Sequence, residues 1–258
     1  MHSRHSISLV DTHHEANLVG HRDESVNVEP KLLRPVPQGL LFEPDNVLYD
    51  ATCWRRWLFQ LLRRIGVHGE FTSLFYVWDH EYLPEVHCGR RDFQTTLRTF
   101  LQALGLSRGQ VDEVAAAAQA KRRQLGTDLR PLPRVKSTLQ ALASRKMALG
   151  VLGDSTLDAE HLNQRLERIG LAKYFSTIVS SRDVQHAKPD PECYEAGLAA
   201  LGLTADAAAF VGCDRQHLWG AQRVGMRPIA VSGDDGVDAD LRVDRFDGLL
   251  RLVGEPFR

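Results

Sequence analysis

Four short stretches of the chain carry the side chains best suited to chemistry. The first is Glu43-Pro44-Asp45 and the second is Gly153-Asp154-Ser155. The third is Lys188-Pro189-Asp190-Pro191. The fourth runs from Gly212-Cys213-Asp214 through His217 to Gly220-Ala221. Asp190 and Pro191 suit the N-cap and first turn of a helix, and a lysine beside a helix N-terminus attracts anions. Glu43, Cys213, Asp214 and His217 mix carboxylate, thiolate and imidazole, a set of ligand types suited to Zn²⁺. A lone cysteine and a lone histidine are also ordinary structural residues, so both readings stand at this point.

Each stretch lies beyond a short apolar run, and that placement gives it meaning. Gly39-Leu40-Leu41-Phe42 precedes Glu43, Ala148–Leu152 precedes Gly153, and Ala208–Val211 precedes Gly212. Ile178-Val179 comes before the Lys188 loop, and Pro228–Val231 is a fifth run. Helical patterns near 134–145, 157–169, 191–201 and 218–224 separate the later runs. Short apolar strands between amphipathic helices predict an α/β fold, a doubly wound (Rossmann-like) parallel sheet covered on both faces. Ligands of such sheets bind beyond the carboxyl ends of the strands, where the four stretches stand.

Residues 54–130 interrupt the alternation and read as all-helical. Trp54, Trp57, Leu58, Leu61 and Leu62 share one stripe, which makes the two tryptophans core residues rather than a binding platform. Leu97, Phe100, Leu101 and Leu104 repeat the pattern, and Ser107 with Gln110 fits a capping box. The expected organisation is therefore a disordered polar tail over 1–34, a core over 35–53 and 131–258, and a helical insert over 54–130. Within the insert, Arg90 and Arg91 are more simply read as a solvated helix face than as a grip on an anionic substrate.

The order and spacing of the four stretches resemble the motifs of the haloacid dehalogenase-like (HAD) superfamily of hydrolases. The subgroup resembled is that of phosphoglycolate phosphatase and β-phosphoglucomutase, which carries a helical cap between motifs one and two. The resemblance spans Gly39 to the C-terminus. It implies a carboxylate nucleophile at position 43, a general acid/base at Asp45, and a motif-three lysine at Lys188. It implies phosphate binding by residues 153–155 (Gly153, Asp154, Ser155) together with Lys188. It further implies Mg²⁺ held by Glu43, Asp45 and Asp214, with Cys213 and His217 as weaker candidates, and a small phosphorylated molecule as partner.

Several of those positions depart from the family pattern. Glu43 stands where the family has Asp; the added methylene extends the carboxylate by roughly 1.5 Å, and misplacement by about 1 Å costs on the order of 100-fold in rate. Pro44 offers no N–H. Gly153 replaces the phosphate-binding Ser or Thr. Cys213 and His217 replace acidic residues and suit Mg²⁺ poorly, since that ion prefers oxygen. The expected function is a phosphatase-type scaffold acting on or binding a small phosphorylated metabolite, with activity lost or strongly impaired. The alternative is an active phosphohydrolase using Glu43 as nucleophile and Asp45 as acid/base, with haloacid dehalogenation as a weaker variant.

Composition restricts the remaining classes. With 32 basic and 33 acidic side chains the net charge is −1, which favours neither nucleic acid nor an acidic membrane as partner. Cys53, Cys88, Cys193 and Cys213 form no CxxC pair, and with no secretory h-region a cytoplasmic location is the expectation. Five of 11 histidines, His2, His5, His13, His14 and His21, fall in the tail, where a loose metal-binding tract is the alternative to a plain polar segment.

Overall fold

The computed structural model describes residue 33 and residues 35–231 and 241–254. The expected tail lies outside these residues except for Leu33. That side chain is buried in the core, and its N–H donates to the Leu252 carbonyl at 3.0 Å.

Strand β1 (Gly39–Phe42) is followed by helices α1 (Cys53–Arg64), α2 (Phe71–Val77), α3 (Leu83–His87), α4 (Phe93–Ala103) and α5 (Arg108–Thr127). Then come α6 (Val135–Ser144), β2 (Ala148–Gly153), α7 (Ala159–Arg168), β3 (Thr177–Ser180), α8 (Ser181–Val184) and α9 (Pro191–Leu201). The chain ends in β4 (Ala208–Gly212), α10 (Arg215–Arg223), β5 (Arg227–Val231), β6 (Arg242–Val243) and α11 (Leu249–Leu252). The sheet order is β3-β2-β1-β4-β5-β6, and every pairing is parallel. Successive strands run outward from β1 in both directions. The topological switch therefore falls between β1 and β4, where a crevice opens at the carboxyl edge.

The strand period of two sorts the core. Leu40 and Phe42 of β1 join Leu149, Val151, Ala209 and Val211 on one face, against α6, α7 and α11. Leu41 joins Leu152, Ala208 and Phe210 on the other face, against Tyr194 and Leu198 of α9 and Leu218 of α10. Both faces are covered, as the continuous apolar runs require. Each buried leucine or phenylalanine contributes about 1.5–3 kcal/mol relative to exposure. α9 has the bounds its residues specify: Asp190 caps it by accepting from Glu192 N–H, and Pro191 opens it.

Helices α1 to α5 form a third apolar cluster of their own, built around Trp78, Phe75, Leu97 and Phe100. Trp54 and Trp57 pack against that cluster, and the Trp54 Nε1–H donates to the Ala118 carbonyl at 3.1 Å. The Ser107–Gln110 capping box opens α5. A π-helical turn, Trp78–Tyr82, links α2 to α3. Periodicity of 3.6 cannot reveal such a turn, which rotates Asp79 and His80 to the cavity wall described below. Among the described residues no helix is long and apolar enough to cross a membrane.

Candidate active site

The site begins where β1 ends. The Glu43 N–H donates to the Val211 carbonyl at 2.9 Å, extending the β1–β4 ladder by one residue. Asn46 then turns the chain with φ 60°, a left-handed conformation that Asn tolerates, while its Oδ1 accepts from Ala51 N–H at 3.0 Å. The turn leaves Glu43 and Asp45 on the wall of a cavity of about 610 Å³ at the switch point. Asp154, Lys188, Cys213, Asp214 and His217 line the same cavity. Gly153 does not, and Ser155 lines a smaller neighbouring cavity instead.

Four of these side chains form an unbroken row of alternating charge, Glu43–His217–Asp154–Lys188. His217 Nδ1 lies 2.7 Å from Glu43 Oε1, and its Nε2 lies 3.5 Å from Asp154 Oδ2. Lys188 Nζ lies 3.0 Å from Asp154 Oδ1 and also donates to the Leu152 carbonyl at 3.3 Å. The second Glu43 oxygen accepts from Cys213 N–H at 3.2 Å. His217 is held for this contact by Asp214, whose carboxylate accepts from Gln216 and His217 N–H at 2.8 and 3.1 Å and so caps α10. The Lys188 side chain has 0% exposure, so its ammonium is spent on protein acceptors.

The electrostatics follow from this arrangement. Burial alone pushes the Glu43 carboxyl upward, but the His217 charge and hydrogen bond, with the Lys188 charge, outweigh it and hold Glu43 below the ordinary range. Burial disfavours the His217 cation, yet Glu43 outweighs that and raises its pKa. Asp154 is likewise lowered and Lys188 raised, each despite burial and each chiefly by the other. Glu43 and Asp154 are thus kept ionised by cations that belong to the chain itself.

Two of the unusual residues in the motifs fit each other sterically. A Cβ on Gly153 would stand 2.9 Å from Leu162 Cδ2 and 3.2 Å from Pro44 Cγ. The ring of Pro44 occupies the space beside Gly153 where a hydroxyl-bearing side chain would start. Ser155 offers no substitute there. It is 8% exposed, its hydroxyl accepts from Leu157 N–H at 3.0 Å, and its N–H donates to Ser181 Oγ at 3.1 Å.

The insert supplies wall residues that sequence reasoning did not single out. Arg55 of α1 pairs with Asp79 at 2.7 Å, and His87 lies at the end of α3. Burial lowers the His87 pKa to about 4, which leaves the ring uncharged at neutral pH. Arg55 sits off the apolar stripe of α1, but nothing in a single helix pattern distinguishes a cavity-facing polar residue from a solvated one. Arg90 lines the cavity and pairs with Glu85 at 3.2 Å while 53% exposed; Arg91 does not line it.

Comparison with known proteins places this geometry in a family. The sequence model for "Haloacid dehalogenase-like hydrolase" matches residues 87–231, more than half of the chain. The chain belongs to this family. The matched stretch holds motifs two to four and leaves Glu43 outside it. A pyrophosphatase PpaX of Oceanobacillus iheyensis is 28% identical over 132 residues, 48% of this chain and 61% of that protein. A phosphoglycolate phosphatase of Salmonella paratyphi A is 30% identical over 131 residues, 48% of this chain and 51% of that protein. The chain thus spans about half to three fifths of these relatives. Among solved structures, β-phosphoglucomutase from Clostridium difficile superposes with TM-score 0.62 at 16% identity, covering 83% of this chain and 93% of its own. L-2-haloacid dehalogenase from Xanthobacter autotrophicus gives 0.59 at 19% identity, covering 84% and 98%. The structural matches establish a common fold.

Proposed function

We propose that this chain is a phosphatase-type HAD scaffold that binds a small anionic metabolite, with phosphoryl transfer lost or strongly impaired. The observation that carries this reading is the placement of His217. Its imidazole bridges Glu43, at the nucleophile position, and Asp154. A nucleophilic carboxylate must leave its partners to attack phosphorus, and Glu43 is held on both oxygens. The helical insert, in this reading, acts as the cap over the site.

HAD-family phosphatases generally use Mg²⁺, and the donors present here do not fit that ion. Mg²⁺ asks for near-octahedral oxygen ligands. Cys213 and His217 offer sulfur and nitrogen, Asp214 is engaged in capping α10, and His217 already neutralises Glu43. Nor do Glu43, Asp45, Cys213, Asp214 and His217 gather as a zinc-type set. Among the described residues the one group of three ligand atoms mutually within 4.8 Å is His186, Asp190 and Glu192.

The active alternative draws support from Asp45, whose carboxylate lines the cavity with no salt bridge among the described residues, and from the ionised state of Glu43. Hydrolysis of p-nitrophenyl phosphate separates the two readings. The proposal expects background rates for the wild type and for Asp45→Asn alike. Turnover that requires Mg²⁺ and disappears in Asp45→Asn would favour the alternative. Glu43→Asp/Cys213→Asp/His217→Asp is the variant expected to regain turnover, because it leaves the Pro44–Gly153 contact undisturbed.

A further inference from the structure

The helical insert begins with α1 at Cys53 and ends with α5 at Thr127. The two chain segments that join it to the core lie side by side. Tyr49 forms a bridge with Pro131, and the Leu132 N–H donates to the Leu48 carbonyl at 2.9 Å. A body joined along one edge can pivot about that edge. Whether this insert pivots is therefore decided by its contacts with the core away from the joining segments.

Those contacts converge on α8, the four-residue helix after β3. Ser181 opens it at 0% exposure. Its hydroxyl donates to the His87 carbonyl at the end of α3, 3.0 Å away, and accepts from the Ser155 N–H of the motif-two loop at 3.1 Å. The donor of this hydroxyl is thus used toward the insert and an acceptor toward the site. Just past α8, the Gln185 carbonyl accepts from Arg90 Nη2 of the insert at 3.1 Å.

The rest of α8, with its cap Ser180, grips the same loop. Arg182 Nη1 donates to the Thr156 carbonyl at 3.0 Å, Ser180 Oγ to the Leu157 carbonyl at 2.6 Å, and the Ala159 N–H to Asp183 Oδ2 at 2.7 Å. Arg122 of α5 reaches the loop from the insert and donates to Thr156 Oγ1 at 3.0 Å. That contact forms part of the wall of the smaller cavity, about 160 Å³, which Tyr49 and Arg165 also line. Loop, α8 and insert are one hydrogen-bonded unit, and Ser181 is the member that bonds both loop and insert from a fully buried position. Removing its hydroxyl would leave the His87 carbonyl and the Ser155 N–H without these bonds.

We propose that α8 is a strut that holds the insert shut over the site, and that Ser181 is the positioning residue that sets the insert against the motif-two loop. A shift of that loop is then transmitted to the insert through one hydroxyl, and a shift of the insert to the loop. This goes beyond the function proposed above and stands whether or not the site turns a substrate over.

Cys88 measures the seam. It follows His87 directly, is 7% exposed, and becomes reachable when α3 leaves α8. Cys193, at 0% exposure in the core, becomes reachable only when the core itself opens. The full chain is labelled with N-ethylmaleimide at neutral pH, and the rate at each cysteine is read by peptide mass spectrometry. Ser181→Ala is expected to raise the ratio of the Cys88 rate to the Cys193 rate about 10-fold over the wild type, the usual effect of losing a buried hydrogen bond. Ser180→Ala removes an equally buried hydroxyl that faces the loop alone, and it should leave the ratio unchanged. Arg90→Gln alters an exposed side chain and keeps the test decisive if Ser181→Ala does not fold: the ratio should rise about 3-fold. A wild-type ratio in Ser181→Ala, or in Arg90→Gln where that is the variant that folds, would overturn the strut. So would an equal rise at both cysteines, or a rise in Ser180→Ala as large as in Ser181→Ala.

Discussion

The two cavities differ in how their polar groups are satisfied. At the switch point, Glu43, His217, Asp154 and Lys188 form a chain in which each charge meets an opposite one. Under the insert, Arg122 and Arg165 have no salt-bridge partner among the described residues, and the Tyr49 hydroxyl makes no hydrogen bond, with Asp45 and Arg165 close by. The same fold thus holds one set of charges that pair directly with one another and one, lined also by Asp45, Asp50 and Asp154, whose two arginines form no salt bridge among the described residues. In the proposed reading, the residues that the family motifs assign to chemistry serve as internal structure. Polar groups that carry no motif at all are the ones left open.

That contrast makes stability a way to test it. Lys188→Met should produce the largest loss, about 3–5 kcal/mol by denaturant unfolding, because it strands Asp154 as an uncompensated buried carboxylate. His217→Ala should cost somewhat less, about 2–3 kcal/mol, since that side chain retains 20% exposure. If either variant is as stable as the wild type, the network does not act as a structural unit.

His87, between the two cavities, sharpens the comparison through pH. Its folded pKa is lowered from 6.5 to about 4, so the unfolded chain binds the extra proton first. Stability from this residue is complete above pH 6.5 and is lost as pH falls toward 4. The unfolding free energy of the wild type should therefore fall more steeply over that window than that of His87→Asn, by about 1–3 kcal/mol for a partly exposed ring. Parallel pH profiles would contradict it. Tyr49→Phe should have the smallest effect, a change of less than about 1 kcal/mol and in the stabilising direction, because an unpaired buried hydroxyl is removed. A clear loss of stability would mean that the hydroxyl is bonded after all.

The scaffold was legible because its signals are local. Asp190 and Pro191 specify the start of α9, Ser107 and Gln110 that of α5, and the apolar runs mark the five longer strands. Helix α10 begins at Arg215, earlier than its apolar pattern near 218, because Asp214 caps it through Gln216 and His217, which carry no apolar signal. β6, with two residues, is too short to carry a period. The candidate site was legible in its residue types but not in its pairings. Nothing in the spacing of Glu43 and His217 says that Nδ1 reaches Oε1, or that Pro44 fills the space beside Gly153. The second cavity was not legible, since Tyr49, Arg122 and Arg165 lie on three elements and belong to no common motif.

The central claim is that the chain's own imidazole stands in for a divalent ion at the switch point. Titration with Mn²⁺, followed by electron paramagnetic resonance, measures this most directly on the wild type and on Cys213→Asp/His217→Asp. Loss of the free-ion signal in the double variant, and no loss in the wild type up to millimolar metal, is the predicted result. Stoichiometric Mn²⁺ binding by the wild type that is lost in Glu43→Gln would contradict it.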